Sequence, residues 1–149
     1  MMVDYDTKVR AGYNQVLNGA ISYELGVIPV VDEKLDTQIS EHDIYIKLSS
    51  QQGQQQNNKK YFAATCTVNI DIVQRTKSVG GKLVVDDVAG QVVQLLFPTR
   101  TTTAITLSSP LKLTISELQN TNTEPLRQID SGFLTIKTLT FSNRVIQDA

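Results

Sequence analysis

Few residues of this chain could carry catalytic or metal-binding chemistry. Its 149 residues include one cysteine, Cys66, and one histidine, His42. A disulfide within the chain, a four-cysteine zinc site and a multi-histidine metal centre are therefore excluded. A cysteine nucleophile with a histidine base would require these two residues to meet. Cys66 lies in the apolar phase of a predicted strand with no cation beside it, which favours a small buried side chain over a reactive thiolate.

His42 lies between two carboxylates, in the run Glu41–Asp43 (EHD). Such a run could orient a general base or begin a metal site. No further ligands follow at a useful spacing, so a solvent-exposed turn before a strand is the favoured interpretation. A small enzyme that uses Glu41, His42 and Asp43 stays open as an alternative function.

Three other clusters give weaker signals. Asp86 and Asp87 are adjacent, and adjacent side chains on a helix diverge by about 100°, so the two carboxylates cannot share a proton. Gly80–Lys82 (GGK) precedes a predicted helix but lacks the spacing of a phosphate-binding loop. Lys59–Phe62 (KKYF) combines cations with aromatic rings, as single-strand binders do, but no basic stripe accompanies it. We therefore expect no enzymatic activity, no catalytic residues, no cofactor and no bound metal.

Charge and composition restrict the class of partner. Fourteen basic and fifteen acidic residues give a net charge of −1, so no overall positive field attracts nucleic acid or an anionic membrane. The charged segment Met1–Arg10 lacks the apolar stretch of about 7 to 15 residues that a secretory signal needs, and no window approaches the roughly 18 apolar residues of a membrane span. We expect one domain over residues 1–149, retained in a cytoplasm and away from membranes.

Two amphipathic helices are predicted from the spacing of apolar residues. The first covers Thr7–Ala20, with Asp6 or Thr7 as its cap. The second covers Leu83–Phe97, where the apolar side chains fall on an arc of about 120° and Pro98 ends the helix.

The strongest strand signal is a period-two pattern that predicts a hairpin. Its arms are Asp43–Ser49 and Tyr61–Gln74. The connection, Ser50–Lys60 (SQQGQQQNNKK), is far longer than a tight hairpin turn, so we predict a flexible tip suited to reaching a neighbouring subunit. Upstream, Gly26–Val31 (GVIPVV) contains Pro29, which predicts an edge strand or extended entry segment.

The C-terminal part is predicted to add two strands. The first places the odd-numbered apolar residues of Leu111–Ile115 on one face, and a polar turn is predicted within Asn120–Pro125. The last strand runs from about Ile129 to Phe141, and its apolar residues change phase, which predicts a bulge or a register change near Thr138. The expected fold class is α+β, a mainly antiparallel sheet with a long hairpin, packed by two helices.

The order of these elements resembles the tail terminator or tail completion family of tailed bacteriophages, which are head–tail joining proteins of the neck. The resemblance is carried by four segments: Gly26–Ser50, Tyr61–Arg75, Lys82–Phe97 and Phe133–Val145. The Gln-rich connection and the Thr-rich segment Thr99–Thr106 have no counterpart in that pattern.

The resemblance implies a structural virion protein, assembled in the host cytoplasm, that forms a homo-oligomeric ring of six or twelve subunits. Such a ring joins portal or connector proteins to tail proteins, and DNA passes through its lumen. Ring closure needs two different contact surfaces on each subunit. The candidates are the hairpin tip, the Thr-rich segment and the chain after Phe141, with these interface residues: Gln51, Gln52, Gln54, Gln55, Gln56, Lys59, Lys60, Arg100, Thr101 and Thr102. A peptide-binding adaptor that uses its sheet edges is a further alternative.

Overall fold

The computed structural model describes residues 4–23, 26–32, 44–55, 61–76, 83–99, 102–125, 127–129 and 132–148. Within them the chain forms two helices and eight strands, which confirms the α+β class. Their bounds are α1 (Tyr5–Leu17), β1 (Ser22–Tyr23), β2 (Gly26–Val27), β3 (Val30–Asp32), β4 (Ile44–Gln55), β5 (Tyr61–Thr76), α2 (Leu83–Leu96), β6 (Leu111–Thr123), β7 (Arg127–Ile129) and β8 (Gly132–Asp148).

One large sheet organises the molecule. Its strands lie in the order β3-β4-β5-β8-β6, and β7 pairs with β8 beyond the end of β6. Every pairing is antiparallel except that of β3 with β4. The predicted hairpin is confirmed, since Ile46 lies opposite Ile72 and Leu48 opposite Ile70. The Pro29 segment leads into the edge strand β3, as expected, while β1 and β2 form a separate small sheet.

Both helices pack on the same face of the large sheet. The apolar face of α1 contributes Val9, Tyr13 and Leu17 to a core in which α2 and the inward side chains of the strands also take part. Full burial of each such side chain contributes about 1.5 to 3 kcal/mol before the entropy of folding is subtracted. From α2 and the sheet the core receives Val85, Val88, Val92, Leu96, Ile46, Leu48, Val68, Ile70, Ile72, Leu139, Phe141 and Val145.

The predicted limits of the first helix are wrong by two or three residues at each end. The helix begins at Tyr5 because Asp4, rather than Asp6 or Thr7, is its cap. The Asp4 carboxylate accepts hydrogen bonds from the Thr7 backbone N–H at 3.3 Å and the Thr7 hydroxyl at 2.9 Å. The helix ends at Leu17, shortly before Gly19, whose φ is +77°. The second helix agrees with its prediction to within one residue.

The Gln-rich connection is not a loop at its start. Strand β4 continues to Gln55, so the prediction of a flexible tip beginning at Ser50 is wrong for these residues. Gln51 lies opposite Thr67 and Gln52 opposite Cys66 in the pairing with β5. Main-chain pairing does not depend on apolar side chains, which is why the hydrophobic pattern ended earlier than the strand. Residues 56–60 lie outside the described residues.

The predicted bulge near Thr138 is also wrong. Strand β8 pairs with β5 without a register shift from Phe133 to Asp148. The apolar residues change phase because they change sides: Leu139 and Phe141 face the helices, whereas Leu134 and Ile136 pack with Tyr45 and Val73 in a small cluster on the other face.

Strand β6 corrects two further predictions. It runs through Thr123, so Asn120 and Asn122 lie in a strand and not in a turn. The register of β6 against β8 shifts between Leu113 and Ile115 and again between Leu118 and Asn120. The first shift turns Ile115 away from the face of Leu111 and Leu113, and its side chain is 52% exposed.

Candidate functional site

Four of the predicted interface residues lie together at the far end of β4. Gln51, Gln52, Gln54 and Gln55 are all exposed to solvent on this strand. Thr102 lies elsewhere, after the end of α2, where it is exposed and bonded to Thr99, with 2.6 Å between the two hydroxyl oxygens. The other candidates lie outside the described residues: Gln56, Lys59, Lys60, Arg100 and Thr101.

The Thr-rich segment has a structural role at the end of α2. The carbonyl oxygen of Leu96 accepts hydrogen bonds from the Thr103 hydroxyl and the Ala104 backbone N–H, both at 2.9 Å. These bonds satisfy one of the carbonyls that a helix leaves unpaired at its C-terminus. Downstream, the segment passes so close to α1 that a Cβ on Gly12 would lie 3.1 Å from both Ile105 Cγ2 and the Thr106 carbonyl oxygen.

A bulge shapes the Gln-rich end of β4. Gly53 and Gln54 together lie opposite Thr65 of β5, and the Thr65 hydroxyl oxygen accepts a hydrogen bond from the Gln54 N–H at 3.1 Å. A Cβ on Gly53 would overlap the Thr65 hydroxyl oxygen and lie 3.0 Å from the Thr65 carbonyl oxygen. The close approach of the two strands therefore requires glycine here. In the sequence, the single glycine in the glutamine run could have indicated this bulge, because a glycine within a strand often marks one.

Strand β6 forms a long edge of the described sheet, which the sequence pattern did not indicate. Its 13 residues pair with β8 on one side, and no other described strand pairs with them. Leu118 faces the helix side of the sheet, opposite Phe141, yet it is 40% exposed. Ile115 is exposed on the other face. Exposed apolar side chains on an unpaired edge are typical of a strand that binds another chain.

An open groove of about 660 Å³ separates α2 from this end of the sheet. Gly90, Val93, Thr121 and Leu139 line it. At its rim Lys137 Nζ lies 2.5 Å from the Asp86 carboxylate, whereas the neighbouring Asp87 accepts a hydrogen bond from Gln91 at 3.0 Å. The two carboxylates bind different partners, consistent with the divergence expected from their adjacency.

The middle of the sheet face opposite the helices is largely polar. Thr138 donates a hydrogen bond to Asp71 at 2.6 Å, and Thr140 donates one to Asn69 at 2.9 Å. These cross-strand bonds tie β5 to β8 on this face. The side chains that β5 and β8 present there include Thr65, Thr67, Asn69, Asp71, Thr138, Thr140, Ser142 and Arg144.

A buried polar cluster joins α1 to the β6 edge. Asn143 of β8 is 1% exposed, and its Oδ1 accepts hydrogen bonds from the Tyr13 hydroxyl at 2.6 Å and the Ser116 hydroxyl at 2.8 Å. Its Nδ2 donates to the Cys66 carbonyl oxygen at 3.2 Å. A buried amide with all these partners fixes the relative positions of the elements it connects, here α1, β5, β6 and β8.

Cys66 is a buried thiol, in agreement with the sequence interpretation. Its side chain is 1% exposed, and Sγ lies 3.5 Å from Asp6 Oδ1. Burial, with a smaller contribution from the Asp6 carboxylate, raises the pKa of the thiol to about 12. At neutral pH the group stays protonated, which deprives it of nucleophilic character.

We expect the protein to lose stability at alkaline pH. Burial raises the pKa values of both Cys66 and Tyr13 above their ordinary values, so the folded chain holds these two protons more tightly than the unfolded chain does. The resulting stabilisation is complete below about pH 9 and falls as the pH rises toward 12. Urea unfolding at a series of pH values from 8 to 11 measures this.

Single substitutions test whether Cys66 and Tyr13 cause the loss of stability at alkaline pH. The decline in unfolding free energy above pH 9 should become shallower in Cys66→Ala and in Tyr13→Phe, each compared with its own value at pH 7. A conserved slope in both variants would contradict the assignment. In the folded protein, alkylation of Cys66 by iodoacetamide should be limited by transient opening and should accelerate sharply in urea.

The run Glu41–Asp43, with its histidine, lies outside the described residues. In the part of the chain that the structure describes, no three His, Cys, Asp or Glu side chains come close enough to hold a metal ion. Neither α1 nor α2 combines the length and the apolar character needed to cross a bilayer. Comparison with family models finds none that matches the chain, and comparison with curated proteins finds no matching sequence.

Proposed function

We propose that this chain is a structural virion protein that forms a homo-oligomeric ring at the head–tail junction of a tailed bacteriophage. In this role, as a neck connector or tail terminator, it joins portal or connector proteins to tail proteins. The observation that carries the proposal is the edge strand β6, which among the described strands pairs with β8 alone, in a sheet whose two helices pack on one face. The structure keeps the order of helix, hairpin, helix and strands on which the resemblance rests, and this order supports the proposal.

The mechanism of such a subunit is mechanical. A free strand offers a row of N–H and C=O groups, and pairing with the neighbouring subunit satisfies them without depending on side-chain identity. Two different surfaces per subunit make the contact heterologous, which allows a closed ring. Pairing of this kind needs no charged side chains that bind a substrate or a phosphate.

The polar face opposite the helices is a suitable lining for a DNA channel. Its centre carries hydroxyl and amide groups, and its charged side chains have both signs: Lys47, Asp71, Arg75, Lys112, Glu117 and Arg144. Non-specific DNA binding depends on neutralising phosphates with Lys and Arg, so a wall on which acidic side chains accompany the basic ones would hold the genome only weakly. We therefore place this face toward the lumen in the proposed ring.

Mass photometry and negative-stain microscopy of the purified protein test the proposal. We expect closed rings of uniform size, with six or twelve subunits, and labelling of the protein on virions should mark the neck. The gene should lie among capsid and tail genes. A protein that stays monomeric at high concentration and does not bind neck proteins would contradict the proposal, and binding of extended peptides by that monomer would favour the adaptor alternative.

A further inference from the structure

We propose that β6 of the unassembled protein pairs antiparallel with β6 of a second copy, across a two-fold axis at Ile115. The partner is an identical chain, and the two sheets join into one sheet with all four helices on the same face. The dimer goes beyond the ring proposed above, because it concerns the subunit before assembly. Dimer and ring exclude each other at β6, since one edge cannot pair with two further strands.

Strand β6 exposes side chains along most of its length. Among the described strands it pairs with β8 alone. Leu118 is 40% exposed on the helix side of the sheet, and Ile115 is 52% exposed on the other side. A second strand beside β6 would therefore bury apolar surface on both faces of the sheet, in addition to forming main-chain hydrogen bonds.

The register shift at Thr114 decides which side chains of β6 share a face. Leu113 and Ile115 lie opposite consecutive residues of β8, so the residue between them is extra. As a result Lys112, Ile115 and Glu117 all lie on the face away from the helices. Counted along the paired positions, Lys112 and Glu117 are equally distant from Ile115, on opposite sides of it.

This spacing makes the strand complementary to itself. A two-fold axis perpendicular to the sheet keeps each side chain on its own face, so residues of the same face must lie opposite each other. With the axis at Ile115, Lys112 of each copy lies opposite Glu117 of the other, and the two Ile115 side chains meet between these pairs. On the helix side, Leu118 lies opposite Leu111 of the second copy. Opposite charges and apolar side chains directly across a strand pair both favour association.

The charges of β6 favour a second copy over other partners. Edge strands are usually protected by charged side chains or proline. From Leu111 to Thr123 the strand contains one lysine, one glutamate and no proline, and across the axis its two charges attract. Lys112 also interacts within its own chain, but an ammonium group has three hydrogens to donate, so Glu117 can be a further partner. A strand with charges of one sign would be attracted by one of these residues and repelled by the other.

The dimer would cover β6 before ring assembly. A dimer forms one junction for two subunits, whereas a closed ring forms one junction for each subunit. Mass action therefore favours the dimer in dilute solution and the ring as the concentration rises. In dilute solution the exposed apolar side chains of the edge are then shielded from other strands.

Charge reversal tests the pairing of Lys112 with Glu117. Lys112→Glu and Glu117→Lys each place like charges opposite each other, so each variant alone should dimerise at least about tenfold more weakly than the wild type. An equimolar mixture of the two variants restores both attractions and should give heterodimers, and the double variant should give homodimers. Lys8→Glu and Asp87→Lys, on exposed positions of the helices, are the matched controls. Analytical ultracentrifugation and native mass spectrometry measure dimerisation, and circular dichroism establishes that each variant is folded.

Cysteine cross-linking tests the position of the axis. Residues directly opposite each other in an antiparallel pair have Cα atoms about 4.5 to 5.5 Å apart, within the range of a disulfide. Ile115→Cys should therefore form a covalent dimer under mild oxidation, since Cys66 is buried and does not compete. Glu117→Cys is the control, because its two copies would lie about 13 Å apart along the strands. A mixture of Lys112→Cys and Glu117→Cys should cross-link.

The other outcomes separate the dimer from the proposed function. Dimers that ignore charge reversal, or equal cross-linking of Ile115→Cys and Glu117→Cys, would overturn the β6 pairing and leave the ring intact. A wild type that passes from monomers to rings without dimers would do the same. Dimers that never give rings, even with neck proteins, would support the pairing and contradict the ring, and a strictly monomeric wild type would overturn both.

Discussion

Replacing Asn143 by alanine is expected to lower the free energy of unfolding by about 3 kcal/mol. The substitution removes the acceptor of the Tyr13 hydroxyl, at 2.6 Å, and the donor to the Cys66 carbonyl oxygen, at 3.2 Å. These groups lie where water is excluded, so the Cys66 carbonyl oxygen loses a buried donor, the Tyr13 hydroxyl keeps only Ser116 of its two side-chain partners, and the missing side chain leaves a cavity. Urea denaturation followed by circular dichroism measures the loss.

Two comparisons separate the hydrogen bonds of Asn143 from general damage. Asn120→Ala removes an exposed amide from β6 and should change stability by less than about 0.5 kcal/mol. In a double-mutant cycle, Asn143→Ala should cost less in a Tyr13→Phe background than in the wild type, because the hydroxyl that needs its acceptor is then absent. Equal costs in both backgrounds, or a loss below about 1 kcal/mol, would refute the assigned role.

The same cluster connects the core to the proposed contact surface. Tyr13 belongs to α1, and Ser116 belongs to the middle of β6. Their common partner, Asn143, therefore holds the β6 edge at a fixed position relative to the helix layer. A preformed edge loses less conformational entropy on association than a mobile one. We expect Asn143→Ala to weaken self-association as well as folding.

The elements that were predicted well are those in which one face is buried. Both α2 and the hairpin arms show a single apolar stripe, with helical period in Leu83–Leu96 and strand period in Tyr61–Gln74. Burial of one face is what produces such periods, so the pattern and the structure report the same fact. For the same reason Cys66, in phase with its apolar neighbours, was placed correctly in the core.

The elements that were missed have no such stripe. Strand β8 has apolar side chains on both faces, Phe141 toward the helices and Ile136 away from them, and a change of face along a regular strand looks like a bulge in the sequence. Strand β6 is exposed over most of its length, so Asn120 and Asn122 resemble turn residues. Their strand conformation follows from pairing with β8, a contact that is distant in sequence.

The candidate site was foreseen only in part. The glutamine run drew attention by its composition, but its placement on an extended strand depended on pairing with β5. The sequence did not indicate that β6 lies at an edge, because side-chain periodicity does not depend on whether the main chain of a strand is paired on both sides. A sequence pattern can indicate which faces are buried, whereas which edges stay free depends on strand order.

Replacing Gly53 by alanine is expected to cost about 2 kcal/mol of stability. The added Cβ would overlap the Thr65 hydroxyl oxygen and crowd the Thr65 carbonyl oxygen, so β4 and β5 must separate at the bulge. Gly90→Ala is the matched control, since a Cβ there meets nothing within 4 Å, and in the middle of α2 it should stabilise the protein by about 1 kcal/mol. Thermal and urea unfolding of both variants give the comparison.

The Gly53→Ala variant also tests how the bulge serves the contact surface. Gln54 belongs to the bulge and Gln55 follows it directly, and the Thr65 hydroxyl oxygen accepts a hydrogen bond from the Gln54 N–H at 3.1 Å. Opening the bulge would turn this end of β4 away from the sheet, so self-association should weaken more than in a core variant of equal stability. Adding Thr65→Ala removes the nearest obstacle and should recover part of the loss. If Gly53→Ala proves as stable and as well assembled as the wild type, the tight approach of these two strands is not required.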